Sequence, residues 1–140
     1  MASRELLRDL GLFDARPPRY TSYPPANHFR GGIGPAEAAR WLGEVPAGAR
    51  VALYVHVPYC RRLCWFCAYR TQGTQTDKPL VPYLNQLRAE LALVGRHLPA
   101  DVTVGAIHLG GGTPTILPAP MLEELCGALR SFRPLAPDLH

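Results

Sequence analysis

A chain of 140 residues is the size of one ordinary domain and long enough to bury a true core. It is 47% hydrophobic and 19% charged, and Pro, Gly or Arg interrupts every apolar run well short of the roughly 18 residues a membrane span needs. The formal charge of +4 is carried by fourteen Arg and one Lys in runs of no more than two, which argues against a nucleic-acid surface and leaves bidentate pairing with carboxylate-bearing substrates open.

In chain order, residues 1–12 predict a short helix with Leu6, Leu7 and Leu10 on one face. Charges spread through this region and no apolar stretch of signal-peptide length occurs, so a cytoplasmic setting is expected. From Asp14 to Phe29, four prolines and three aromatics forbid regular structure and predict an extended arm lying on something else. Glycines 31, 32 and 34 then loosen the link to a short helix over Pro35–Leu42, whose proline suits a first turn. Residues 1–48 are thus expected to form an N-terminal helix and arm, and residues 49–140 a separate α/β region.

That second region opens with Val51–Val57, "VALYVHV", a β-branched and aromatic run closed by Pro58 that predicts a strand. Leu84, Leu87, Leu91, Val94 and Leu98 recur at alternating steps of three and four, predicting an amphipathic helix from about Pro79 to His97. Val102–Leu109 predicts a second strand, ended by Gly110, Gly111 and Gly112, with His108 a structural residue in it. Leu122, Leu125, Leu129 and Phe132 mark a second helix, beside whose apolar face Cys126 is expected as a small buried hydrophobe. Strand, helix, strand, helix in alternation is the pattern of an α/β fold with a parallel sheet. Two parallel strands bury little, so the expectation is the first two βα units of a larger barrel or wound sheet, with a third strand due near His140.

Three of the four cysteines, Cys60, Cys64 and Cys67, fall within eight positions in a C-x3-C-x2-C spacing. A reducing compartment and the odd thiol left over speak against disulfides. Soft thiolates select zinc, copper(I) or iron–sulfur clusters. Zinc asks for a fourth ligand, for which His56 is the nearby candidate, whereas three thiolates suit a four-iron cluster with one iron left open. Successive parallel strands deliver their following loops to one edge of the sheet, so the cysteine loop and the triple-glycine loop are expected to be neighbours at the carboxyl ends of the strands.

These motifs carry a resemblance. Tyr54-Val-His-Val-Pro-Tyr-Cys60 with Cys64-Trp-Phe-Cys67 resembles the signature of the radical S-adenosylmethionine superfamily, and Leu109-Gly-Gly-Gly-Thr-Pro-Thr115 its glycine motif. Pro18-Arg-Tyr-Thr-Ser-Tyr-Pro24 resembles the arm preceding the barrel in the oxygen-independent coproporphyrinogen III oxidase branch, and the likeness runs from about Arg16 to Phe132. The fold this implies is the N-terminal part of a partial (β/α) barrel, a fragment expected to be inactive on its own. The implied cofactors are a 4Fe–4S cluster on Cys60, Cys64 and Cys67 and two molecules of S-adenosylmethionine. Tyr54 and Gly111 would serve the first molecule, and Phe66, Gly112 and Thr113 the second. In that chemistry the open iron chelates the amino and carboxylate groups of S-adenosylmethionine, and an electron from the cluster cleaves it to a 5′-deoxyadenosyl radical. The implied reaction is oxidative decarboxylation of coproporphyrinogen III to protoporphyrinogen IX in haem synthesis. A flavodoxin or ferredoxin would supply electrons to a full-length monomer, with no nucleic-acid or membrane partner; the resemblance assigns no catalytic side chain here.

One position departs from the pattern. The oxidase branch carries a further cysteine two residues after the third cluster ligand, where this chain has Tyr69. Cluster assembly needs only three thiols, but the extra cysteine is a mark of the oxidase activity. Related alternatives are therefore a radical methylase or cyclopropanase of the same branch, and a haem-chaperone relative, whose usual lack of the arm counts against it. A non-enzymatic zinc module is the alternative from another class.

Overall fold

The computed structural model describes residues 3–11, 25–65, 67 and 69–140 of the chain. The chain divides into two units, Met1–Ile33 and Gly34–His140. In the first, α1 (Arg4–Asp9) starts at Ser3, whose hydroxyl accepts from the Leu6 amide at 3.2 Å and so satisfies a donor with no partner inside the helix. A single 3-10 turn follows at Ala26–His28. That turn falls within the expected arm, Asp14–Phe29, so its last part is not wholly irregular as expected; the rest of the arm, residues 14–24 with the Pro18–Pro24 motif, lies outside the described residues.

The second unit opens with α2 (Pro35–Gly43), which has proline in its first turn and the Glu37 carboxylate accepting from the Gly34 amide at 2.9 Å. The Glu37 backbone amide, and then this Gly34 contact, hold the Glu37 carboxyl below its ordinary range. The strand β1 (Arg50–Val57) leads through β2 (Tyr59–Cys60) and β3 (Gln72–Gly73) to α3 (Leu80–His97). The strand β4 (Thr103–Gly111) and α4 (Ala119–Phe132) complete the order, with a 3-10 turn at Pro114–Ile116 between them. β1 and β4 pair in parallel from Arg50↔Thr103 to Val57↔Gly111, so the strand–helix–strand order read from the sequence is the observed one.

The alternation along β1 decides the faces. Val55 and Val57 are buried against the helices, whereas Ala52 and Tyr54 point to the opposite, open face. The core is Val55 and Val57 from β1, Leu80 and Leu84 from α3, Ile116 and Leu117 from the turn, and Leu125 and Leu129 from α4. It lies directly beneath the carboxyl ends of both strands and holds them in place.

Two expectations are corrected. The glycines do not end the second strand: β4 continues through Gly110 and Gly111, because the amides and carbonyls there still find β1 as partner. Cys126 is exposed, not buried, since the inward face of α4 is taken by Leu125 and Leu129. Before His140 the sheet gains no third strand among the described residues, only an isolated parallel bridge of Leu135 to Val104. Pro134 accepts from the Val104 amide and Ala136 donates to the Val104 carbonyl, both at 2.8 Å, on the edge of β4 away from β1. His140 then donates to Gly105 at 3.2 Å and accepts from Ile107 at 2.8 Å.

Candidate functional site

The loop from Cys60 to Gly73 is closed at its neck by backbone pairing. Gln72 donates to the Pro58 carbonyl at 2.7 Å and Thr74 to the Cys60 carbonyl at 2.9 Å, so β2 and β3 form a two-residue parallel ladder. Inside the loop the Cys67 amide donates to the Cys64 carbonyl at 3.1 Å, a tight turn that keeps these two cysteines together. Arg61 pairs with Asp77, and Gln75 donates to the Arg61 carbonyl at 3.2 Å, bracing the outer side.

The glycine loop is bonded to this neck. Gly112 donates to Val57 at 2.7 Å and Thr113 to Tyr59 at 2.9 Å, while the Thr113 hydroxyl donates to the Cys60 sulfur at 3.4 Å. The close approach explains the glycines. A Cβ on Gly112 would stand 2.6 Å from the Tyr59 carbonyl oxygen and 2.8 Å from the Cys60 sulfur. Gly111 has φ of +98° and a Cβ there would stand 2.8 Å from the Val57 carbonyl oxygen. The chain's own backbone therefore requires glycine at 111 and 112 whatever else approaches them.

Together the loops line a cavity of about 300 Å³ formed by Cys60, Cys64, Cys67, Gly111, Gly112 and Thr113 with Arg62, Tyr69 and Thr71. Six of the eight residues singled out from the sequence thus share one cavity. Tyr54 stands outside it on the open sheet face, 60% exposed, with its ring over Gly110, where a Cβ would meet the phenol oxygen at 2.6 Å. Phe66 lies outside the described residues. Cys60 is buried, and Cys64 and Cys67 are exposed.

The lining suits a soft metal group. It offers three sulfurs, no carboxylate and one cation, Arg62. The Cys67 thiol is held below its ordinary range by the Thr71 hydroxyl 3.3 Å away and then by the Tyr69 backbone, which favours the thiolate a metal needs. Among the described residues no three His, Cys, Asp or Glu side chains converge on one ion. A cluster that gives each thiolate its own iron does not require such convergence. His56, the candidate fourth zinc ligand, is engaged elsewhere. Its Nε2 lies 2.9 Å from the Arg70 carbonyl, an acceptor, so Nε2 carries the proton and Nδ1 accepts from the Tyr54 hydroxyl at 3.4 Å.

Sequence reasoning missed two parts of this site and offered His56 only as a metal ligand. Thr71 carried no motif. Tyr83 donates its hydroxyl to the His56 carbonyl at 2.9 Å and meets Tyr59 edge-on, fixing the neck from below. His56 joins strand to loop, and its two-residue spacing from Tyr54 already placed both on one face.

No family model matches the chain. Over 136 residues, 97% of its length, it is 51% identical to the oxygen-independent coproporphyrinogen III oxidase of Paracoccus denitrificans. The chain is homologous to oxygen-independent coproporphyrinogen III oxidases. The oxidase of Cereibacter sphaeroides is 51% identical over 96% of the chain, and that of Pseudomonas aeruginosa 41% over 90%. The chain spans about 30% of the length of the first two of these oxidases. Among solved structures it matches Escherichia coli coproporphyrinogen III oxidase, HemN, a radical SAM enzyme, with a TM-score of 0.77 and 30% identity. That match covers 86% of this chain and 27% of HemN, so the parallel α/β fold described above is a part of the HemN fold. Among the described residues no helix is long and apolar enough to cross a membrane.

Proposed function

We propose that this chain forms the cluster-binding part of an oxygen-independent coproporphyrinogen III oxidase, which converts coproporphyrinogen III to protoporphyrinogen IX. The observation that carries this is the identity of 51% to such an oxidase across 97% of the chain, with the three signature cysteines lining one cavity. When bound, a 4Fe–4S cluster with S-adenosylmethionine supplies a carbon radical able to take hydrogen from a propionate side chain. Cys60, Cys64 and Cys67 would hold that cluster, with Cys60 fixed by the neck and by Thr113. Arg62 faces the same cavity and would offset the negative charge of the group. Motif position supports Tyr54 and Gly111 as contacts of one S-adenosylmethionine molecule, and Phe66, Gly112 and Thr113 of a second. An electron donor of the flavodoxin or ferredoxin kind, a cytoplasmic setting and a monomeric full-length protein, without nucleic-acid or membrane partners, belong to the same reading. So does a division of the chain into a helix-and-arm segment, 1–48, and the barrel's first units, 49–140.

A specific observation favours a second reading. Tyr69, standing where the oxidases have their further cysteine, lines the cysteine cavity itself. The missing thiol counts against the oxidase and leaves as the second reading a radical methylase or cyclopropanase of the same branch, in which a second S-adenosylmethionine donates carbon. The deciding experiment gives the full-length protein coproporphyrinogen and methyl-labelled S-adenosylmethionine without oxygen. Vinyl products free of label are expected. Labelled product would move the assignment to the methylases, and Tyr69→Cys should raise decarboxylation if that phenol limits it. Cys60→Ala, Cys64→Ala and Cys67→Ala should each abolish the brown visible absorption of the reconstituted protein, and Cys126→Ala should leave it unchanged. A colourless protein holding one zinc per chain overturns the cluster reading.

A further inference from the structure

Two of the three cavity thiols have a threonine hydroxyl against them. The Thr113 hydroxyl lies 3.4 Å from the Cys60 sulfur, and the Thr71 hydroxyl 3.3 Å from the Cys67 sulfur. Cys64 has no such neighbour among the described side-chain hydrogen bonds. Thr71 is half-buried, lines the cavity, and immediately precedes Gln72, whose amide is bonded into the neck ladder. Its hydroxyl therefore approaches Cys67 from a braced backbone rather than from a free loop, and it makes no other hydrogen bond among the described residues.

We propose that Thr71 is a positioning residue of the cysteine cavity, whose hydroxyl donates to the Cys67 thiolate and, with Thr113 on Cys60, raises the reduction potential of the cluster held there. This rests on the cluster reading given above. As a free thiol, Cys67 can donate to the Tyr69 carbonyl 3.9 Å away or to Thr71. Metal binding removes the thiol proton, so the first contact is lost and in the second the hydroxyl must be the donor. On reduction one electron enters the cluster from an external low-potential donor, no proton moves, and negative charge grows on the ligand sulfurs. A hydroxyl dipole aimed at such a sulfur stabilises the reduced form more than the oxidised one, and hydrogen bonds to cluster sulfurs are among the protein's main controls of potential. The role is separate from cluster capture, which the three thiolates perform.

The test is an anaerobic redox titration of the reconstituted full-length protein, followed by electron paramagnetic resonance, for the native protein, Thr71→Val and Thr71→Ser. Valine keeps the shape and removes the hydroxyl; serine restores the hydroxyl. In Thr71→Val the reduced-to-oxidised ratio at a fixed poise should fall roughly tenfold, about 59 mV for one electron, and Thr71→Ser should return to the native value. A Thr71→Val protein with a full cluster at the native potential overturns the inference while leaving the cluster reading intact. If valine prevents assembly but serine assembles normally, the hydroxyl acts in cluster capture and the inferred effect on the potential is overturned. If both variants fail to assemble, the hydroxyl is not what matters and the inference falls. A native protein that takes up no iron and sulfide removes the proposed function and this inference with it.

Discussion

Gly110, Gly111 and Gly112 look interchangeable in the sequence, yet each answers to a different neighbour. Gly110 makes room for the Tyr54 ring, Gly111 adopts a left-handed backbone against Val57, and Gly112 admits the Tyr59 carbonyl and the Cys60 sulfur. Gly112→Ala must displace backbone that is itself bonded to Thr113, so it should cost roughly 1–3 kcal/mol in urea unfolding. It should also lower iron uptake, because Cys60 moves; normal stability with full iron content would refute this. Gly127 is the internal contrast, since it lies inside α4 with open space where a Cβ would go. Gly127→Ala should therefore stabilise the protein by about 0.5–1 kcal/mol. Tyr83 gives a pH signature at the same scale. Burial, then Tyr59 and Glu90, push its phenol up to about 12 from 10.0. The folded state thus prefers the protonated phenol, so this stabilisation is complete below pH 10 and lost as pH rises toward 12. In an ultraviolet titration one of the six tyrosines should ionise last, and Tyr83→Phe should delete that phase at a cost of about 1 kcal/mol in stability at neutral pH. A Tyr83→Phe titration identical to the native one would refute the assignment.

At the scale of elements, what was legible had a period or a spacing. The three-and-four step of Leu84, Leu87, Leu91 and Val94 became α3, and the β-branched run became β1, each within about a residue or two of the expected bounds. The meeting of cysteine and glycine loops followed from parallel topology alone and is the observed cavity. The illegible parts depend on partners distant in the chain. Glycines continue β4 only because β1 accepts their pairing, and β2 with β3 is too short to carry any pattern. Cys126 was misread because a helix face bounded by two leucines leaves little angular room to tell flank from core. The Pro134–His140 segment was hidden by its prolines, and a side-chain contact anchors it. Arg50 reaches Asp138 at 2.7 Å across Gly105, where any Cβ would overlap the arginine. The Arg50 hydrogen bond, then the Asp138 backbone, hold the Asp138 carboxyl below its usual value. A lowered folded pKa means the contribution is present above about 3.8 and lost as pH falls further. Asp138→Asn, or acid in the native protein, should speed amide exchange at Val104 and Ile107, the donors to this segment, before exchange at β1 changes. Uniform acceleration across the sheet would show that the ion pair has no local role.

At the scale of the second unit, and among the described residues, α3 and α4 cover one face of the sheet and leave the other open. Ala52, Tyr54 and His108 are exposed on the other, with His56, Ala106 and Gly110 between them. Beside the outer edge of β1, Leu53, Leu87, Leu91, Val94 and Leu129 line a groove of about 210 Å³. Among the described residues no strand pairs with that edge, so its amides and carbonyls face the groove unladdered. Unpaired parallel edges flanked by apolar side chains recruit other chains, and short two-strand sheets gain little from burial alone. The homologous oxidases are more than three times as long, which leaves ample chain to cover both surfaces in proteins of that length. The 140-residue chain expressed by itself is therefore expected to self-associate in sedimentation and to bind a hydrophobic dye. Cysteine-loop assembly is local to the neck, so the same preparation should still take up some iron and sulfide, yet fail to cleave S-adenosylmethionine, because Tyr54, proposed above as a contact of that molecule, faces solvent rather than an enclosed site. His108→Lys, on the open face and away from the groove, should not relieve association, whereas Leu87→Lys at the edge groove should. A native 140-residue chain that sediments as a monomer and unfolds in one cooperative step would show that edge and face are satisfied within these residues.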